Sequence, residues 1–193
     1  MINLIIFGPP GSGKGTQSVK IAERYQLAHI STGEIFRKNI REKTPLGLKV
    51  QGIIEKGELV PDELLGEILE DALNSHNGVA GFIFDGYPRT MPQANDLDTI
   101  LKKRNDAVDL VLSLDVNDEE VIKRLLKRAE LEGRKDDTRE VIENRLKVYN
   151  RQTEPLLRFY EARGVLKHIN GIGAIDDIFE KLCREIDSVR KNN

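Results

Sequence analysis

"GPPGSGKGTQ", Gly8 to Gln17, follows directly on the apolar run "INLIIF", Ile2 to Phe7. A segment holding four glycines, two prolines and one lysine cannot extend a sheet or fill a core. Proline lacks the amide donor and glycine brings no side chain to pack. The segment is shaped around something else. A buried strand, then Gly8-x4-Gly13-Lys14, then a helix expected to begin near Thr16 is a phosphate-binding arrangement. Its glycines let backbone amides converge on anionic oxygens, the helix brings a positive N-terminus, and Lys14 reaches the outer phosphates. The slot after the lysine holds Gly15, and the hydroxyl comes one residue later at Thr16. The general pattern therefore does not provide for direct magnesium ligation by that hydroxyl.

Outward from the loop, further apolar runs bounded by turn residues read as strands: "GFIFD" at 81–85 and "DLVLSLDV" at 109–116, with shorter candidates at 28–30 and 165–169. Helical patterns separate them. "PDELLGEILEDAL" sets Pro61 at a first-turn position and Leu64, Leu65, Ile68, Leu69, Ala72 and Leu73 on one face. Alternating strands and helices predict an α/β fold, a parallel sheet with helices on both faces. Two stretches depart from that pattern. Residues 31–60 hold helical pieces broken at Thr44-Pro45 and at Gly57 with no strand between them, and read as an excursion from the sheet. Residues 124–145 carry Arg124, Arg128, Arg134, Arg139 and Arg145 around the polar "AELEGRKDD", a basic surface segment with a short loop.

Composition bounds the function. The chain has 193 residues, 39% apolar, enough for one main core and no more. A net charge of -2 gives no electrostatic footprint for nucleic acid, so any cationic site is focused. The single cysteine, Cys183, excludes an intrachain disulfide and borders a helical stripe of Ile175, Ile178, Phe179, Leu182 and Ile186, where packing is its expected role. No basic segment precedes the first apolar run and no stretch approaches the roughly 18 residues of a membrane span. A soluble, cytoplasmic protein without membrane partners is expected.

A phosphate loop alone fits a motor, a switch or a kinase, and the rest of the chain decides. Asp85 ends the second apolar strand, where a magnesium-associated acid belongs beside the loop. "DGYPRT" then puts Arg89 just beyond the sheet edge. An ATP-like donor with a monophosphate acceptor brings about six negative charges that must be held in line. Lys14, Arg37, Arg89, Arg124, Arg128, Arg134 and Arg145 suffice to hold them, while Arg139 reads as a solvated surface residue. His29 and His168 fall in expected strands and His76 near a loop, all three structural.

With these residues the chain resembles the nucleoside monophosphate kinases, the adenylate kinase branch most closely. The likeness covers nearly the whole chain and rests on "GPPGSGKGTQ", "STGEIFR", "GELVPDEL", "FIFDGYPRT" followed by Gln93, "RLLKR", "GRKDD" and Arg145 in "ENRL". Glycine after the lysine is ordinary in that family. The resemblance implies a P-loop NTPase-type five-stranded parallel sheet as the core, formed by 1–30, 61–123 and 137–193. It implies a monophosphate-binding excursion at 31–60 and a lid at 124–136. It implies that Gly11, Ser12, Gly13, Lys14, Gly15, Thr16, Arg124, Arg128 and the backbone at Gly173 bind ATP. Thr32, Arg37, Glu58, Leu59, Val60, Gly86, Tyr87, Pro88, Arg89 and Gln93 are implied to bind AMP, with Arg134 and Arg145 bridging the reacting phosphates. Lys14, Arg89, Arg124, Arg134 and Arg145 are the implied catalytic cations, and Asp85 the implied magnesium residue, acting through water. Long-lid relatives often carry metal-binding cysteines in the lid. Here only "AELEG" separates Arg128 from Arg134, so a short lid without zinc is expected.

The function so implied is reversible phosphoryl transfer from MgATP to AMP, giving two ADP, by a monomer. The acceptor oxygen is already largely ionised at neutral pH, its second pKa being about 6, so no general base is needed. This fits an inventory rich in arginine and without a His or Cys nucleophile. Two other readings stay open on the sequence. A UMP/CMP kinase typically replaces the threonine of "STGE" with a smaller residue and has asparagines at the places of Thr90 and Gln93. A regulatory nucleotide switch needs one nucleotide site, whereas this sequence supplies cations for two.

Overall fold

The computed structural model describes residues 1–76, 78–134 and 137–190, with the backbone alone at Glu67. Residues 135–136 of the expected lid, and Asn77 and 191–193 of the expected core, lie outside the described residues.

Five strands form one parallel sheet in the order β2-β3-β1-β4-β5: β1 is Ile2–Phe7, β2 Ala28–Ser31, β3 Gly81–Asp85, β4 Leu110–Asp115 and β5 Leu166–Asn170. The central β1 is buried at every residue, as a run without polar alternation requires when both faces are covered. Its side chains divide between two cores. Ile5 and Phe7 join Phe82, Phe84 and Val111 on one face, under α4 (Glu63–Asn74), α5 (Met91–Lys103) and α8 (Pro155–Ala162). Leu4 and Ile6 join Ile83, Leu112 and Leu114 on the other, under α1 (Lys14–Tyr25) and α9 (Ile175–Arg190). Cys183 is buried there, as its helical stripe predicts, whereas Ile175 at the start of that stripe is 53% exposed.

The excursion between β2 and α4 is helical throughout its regular parts: α2 (Thr32–Arg41) and α3 (Pro45–Glu55), the latter with Thr44 as N-cap and Pro45 in its first turn. A third, smaller core joins α6 (Asp118–Glu132) to α7 (Arg139–Val148) through Val121, Leu125, Ile142 and Leu146. Past α7 the chain makes a π-helical turn, Tyr149–Thr153, before α8.

Three local expectations need correction. The helix after the glycine loop starts at Lys14, not near Thr16, because Gly13 already takes the N-cap place in the left-handed region. Pro61 stays outside α4, whose N-cap is Asp62. The polar middle of the basic segment, "AELEGRKDD", is helix as far as Glu132, so the short loop begins only at Gly133, and Arg124 and Arg128 project from α6, which is anchored by Val121 and Leu125.

Candidate active site

All strands run in the same direction, so the loops that leave the carboxyl ends of β1, β2 and β3 gather along one edge of the sheet. They line one cavity of about 780 Å³, within the range of small-molecule sites. Gly11, Ser12, Gly13, Lys14, Gly15 and Thr16 form one part of its wall, and Thr32, Arg37, Glu58, Leu59, Val60, Gly86, Pro88, Arg89 and Gln93 another. Arg124, Arg128, Arg134, Arg145, Asp85 and Gly173 line it as well. Of the site residues expected from sequence, Tyr87 alone is not brought to it. Tyr87 is 1% exposed and belongs to the core that includes Phe84 and Leu97, so its bulky apolar ring is buried on the protein side of the cavity wall.

The glycine loop meets α1 at Gly13, whose φ of 97° is ready for glycine and strained for other residues. The first amides of α1 receive no side-chain cap and no acid lies in its first turn, which leaves donors and dipole facing the cavity. Lys14 folds back over the loop, its Nζ donating to the carbonyls of Gly8 at 2.7 Å and Pro9 at 3.0 Å. Desolvation, only partly opposed by the Asp85 charge, lowers its pKa from 10.5 to about 8, with the Arg89 and Arg128 charges adding to the fall.

Asp85 ends β3 level with Ile6 of β1 and Ser31 of β2. Burial pushes its carboxyl up, but the neighbouring His29 imidazole, 3.5 Å away, and the Lys14 and Arg89 charges outweigh that and hold it below the ordinary carboxylate range. Gly15 sits against it: a Cβ there would lie 3.6 Å from Asp85 Oδ2. Among the described residues no group of three or more His, Cys, Asp or Glu side chains could hold a metal ion. One ionised carboxylate beside a phosphate loop would suit only a magnesium ion that takes its other ligands from phosphate and water.

Arg89 is fixed at both ends. Its amide donates to Gln93 Oε1 at 2.7 Å, its carbonyl accepts from Thr153 Oγ1 at 3.0 Å, and its Nε donates to the carbonyl of Gly86 at 2.7 Å. That carbonyl also accepts from Thr32 Oγ1 at 2.8 Å, which ties the start of α2 to the turn after β3. Burial pulls the Arg89 pKa below its ordinary value, the Asp85 charge opposes this, and the Arg145 charge reinforces it.

The other cations converge from α6 and α7. Arg124 pairs with Glu120 at 2.8 Å and donates to the carbonyls of Ser12 at 3.3 Å and Gly171 at 3.0 Å, spanning the glycine loop and the segment after β5. Arg128 makes a two-pronged contact to Asp137, at 2.7 and 2.9 Å, and Arg145 donates to the same carboxylate at 2.8 Å. Arg134 Nε lies 3.8 Å from it. Sequence reasoning missed Asp137, although it is the second acid of the quoted "GRKDD"; a buried acid amid arginines is visible only once α6 and α7 pack. It also missed Thr153 and the apolar wall of Phe36, Ile54 and Leu65, of which the sequence pattern picks out only Leu65, as part of a helix face. Arg139, read as solvated, is exposed and pairs with Glu143.

Known proteins resemble this chain in sequence. A family model described as adenylate kinase matches residues 6–165. The adenylate kinase of Bacteroides fragilis is 48% identical over 189 residues, covering 98% of this chain and all of that protein. Those of Azobacteroides pseudotrichonymphae and Micrococcus luteus are 47% and 45% identical, each over 98% of this chain and over 99% and 93% of their own. With a phosphate loop, an arginine-lined cavity and this likeness from end to end, the chain belongs to the adenylate kinase family.

Proposed function

We propose that this cavity holds MgATP and AMP end to end and transfers the terminal phosphoryl group between them, yielding two ADP reversibly. The observation that carries the reading is the continuity of the site. The glycine loop and the Thr32–Arg89–Gln93 cradle are walls of one cavity, and Lys14, Arg89, Arg128, Arg134 and Arg145 all line it.

In this reading the amides of Gly11 to Thr16 and Lys14 take the donor phosphates, with Arg124 and Arg128 above them and Gly173 beside the adenine. Lys14 exchanges its bonds to the Gly8 and Pro9 carbonyls for phosphate oxygens. Arg37 and Arg89 hold the acceptor phosphate, while Thr32, Gln93 and the Glu58–Val60 segment enclose its base. Arg134 and Arg145 bridge the reacting phosphates. Asp85 would hold, through water, a magnesium ion brought with the donor, which would supply charge neutralisation on the phosphate oxygens. The chain's own contribution is alignment and preorganised positive charge, since phosphoryl transfer asks for no nucleophile or base from the protein. Closure of 31–60 and 124–136 over the core keeps water from competing as acceptor. The excursion and lid divisions, a monomeric state and a cytoplasmic setting complete the proposal. No helix among the described residues is long and apolar enough to cross a membrane.

Coupled detection of ADP from MgATP, with AMP, CMP, UMP and GMP offered in turn, tests it. AMP is expected to be much the best acceptor. Preference for CMP or UMP, or ATP hydrolysis without transfer, overturns the reading. Magnesium is expected to be needed for turnover and not for folding, and elemental analysis is expected to find no stoichiometric zinc.

A further inference from the structure

We propose that Asp62 sets the base preference of the acceptor pocket by fixing which way round the Gln93 amide faces; the inference rests on the acceptor-site reading above. Asp62 occupies the N-cap place of α4, where an aspartate ordinarily accepts from the amides of its own helix. Here it makes no such bond. The first amides of α4 turn to backbone instead, Leu64 N–H to the Pro61 carbonyl at 3.1 Å and Leu65 N–H to the Asp62 carbonyl at 3.0 Å. The carboxylate reaches across to α5, where Oδ1 accepts from Gln93 Nε2 at 2.5 Å and Oδ2 from Thr90 Oγ1 at 3.2 Å.

The two ends of a glutamine amide have nearly the same shape, so its orientation is decided by its partners. Gln93 has one partner of each kind. The carboxylate of Asp62 can only accept, and the main-chain N–H of Arg89, 2.7 Å from Gln93 Oε1, can only donate. A single orientation satisfies both. The flipped amide would set oxygen against carboxylate and NH₂ against N–H at a side chain only 1% exposed, where such contacts are poorly screened.

What remains on Gln93 is one N–H and one oxygen lone pair, in a fixed order, on a residue that lines the cavity. That pair matches an exocyclic amino group next to an unprotonated ring nitrogen, the N6/N1 edge of adenine. A 6-oxopurine offers a carbonyl next to a ring N–H, the opposite order, and needs the flipped amide. Asp62 thus acts through Gln93 as a positioning residue that selects amino over oxo bases. Cytosine carries the same pair as adenine, so the choice of purine over pyrimidine falls to the size of the pocket.

The test compares AMP with IMP, which differ only at that edge, as acceptors at saturating MgATP. The proteins are the wild type, Asp62→Ala, Asp62→Leu and Asp62→Asn, with thermal unfolding followed in parallel; where IMP turnover is below detection, its inhibition of AMP use is measured. Asp62→Leu fills the vacated volume and carries the test if Asp62→Ala does not fold. The AMP:IMP preference is expected to fall at least about tenfold in Asp62→Ala or Asp62→Leu, the change lying mainly in KM for the acceptor with KM for MgATP unmoved. Asp62→Asn, which keeps an acceptor oxygen, is expected to retain most of the preference. An unchanged preference in a folded Asp62→Ala or Asp62→Leu protein, or equal damage to the AMP and MgATP parameters, overturns the inference while leaving the proposed reaction intact. A wild type that does not use AMP overturns both.

Discussion

Lys14 shows how a single side chain can be costly to the fold and necessary to the reaction. It is surrounded by Asp85, Arg89 and Arg128 and bonded to two loop carbonyls, an environment that desolvates a cation and supplies one balancing charge against two repelling ones. Lys14→Ala is expected to retain the fold and lose at least about a hundredfold in turnover, the scale of one preorganised charge contact. Near-normal turnover in a folded variant contradicts the assignment of the phosphate loop. The depressed pKa makes a second, independent prediction. Without nucleotide, protonated Lys14 favours the unfolded chain, in which its pKa is 10.5, over the folded one, in which it is about 8. Below pH 8 both states hold the proton and the destabilisation is full. Between 8 and 10.5 the unfolded chain holds more protons, so this group's contribution to stability rises with pH. Lys14→Met is therefore expected to melt above the wild type at pH 7, by a margin that narrows as the pH approaches 10. Differential scanning calorimetry across that range checks the sign, and a margin that widens with pH refutes it.

At the scale of elements, α2 and α3 pack closely because residue 47 has no side chain. A Cβ on Gly47 would stand 2.1 Å from the Asn39 carbonyl oxygen and 2.7 Å from the Ile40 nitrogen, both of them backbone atoms that cannot turn aside. Thr44 knits the same corner, accepting from the Gly47 amide at 3.1 Å while donating to Asn39 Oδ1 at 2.7 Å. Gly47→Ala is expected to destabilise the protein by about 1–3 kcal/mol and to raise KM for AMP several-fold with little change for MgATP. Steady-state kinetics with each substrate varied separately, beside chemical denaturation, measures both. The sequence revealed the helical pair through Thr44-Pro45 and the strands through unbroken apolar runs, since those signals are local. It concealed whatever depends on distant packing. Asp137 gathers Arg128 and Arg145 only because Val121 and Leu125 press α6 against Ile142 and Leu146 of α7. Tyr87 stands among pocket residues in sequence, yet it is buried in the core. Asp62 reads as one of the acids in the first turn of α4, yet it takes the N-cap place without capping and bonds to Gln93 of α5.

On the scale of the whole molecule, the sheet carries the rigid reference points and the helical segments carry most of the cations. Asp85 ends β3 and Lys14 opens α1 just past the glycine loop that follows β1, and the two strands pair through five consecutive residues. Arg128, Arg134 and Arg145 belong instead to the α6–α7 unit, whose own small core is separate from the two beneath the sheet. Arg37 stands on α2, in the other excursion. On the proposed reading, aligning two polyanions between these units would draw them together by charge. Phosphoryl transfer also requires that water be shut out, because ATP hydrolysis would otherwise compete. An inhibitor that joins two adenosines through a polyphosphate is therefore expected to protect 31–60 and 124–137 from hydrogen exchange far more than it protects β1, β3 and β4. Those strands, buried between two cores, are expected to exchange mainly through global opening. Strand amides gain protection only in so far as the ligand raises overall stability, whereas the excursion amides gain it from closure as well. Hydrogen exchange with mass-spectrometric readout, with and without the inhibitor, separates the two effects. Protection spread evenly over strands and excursions, or absent from the excursions, means a cavity that binds without closing, and leaves the exclusion of water to some other part of the chain.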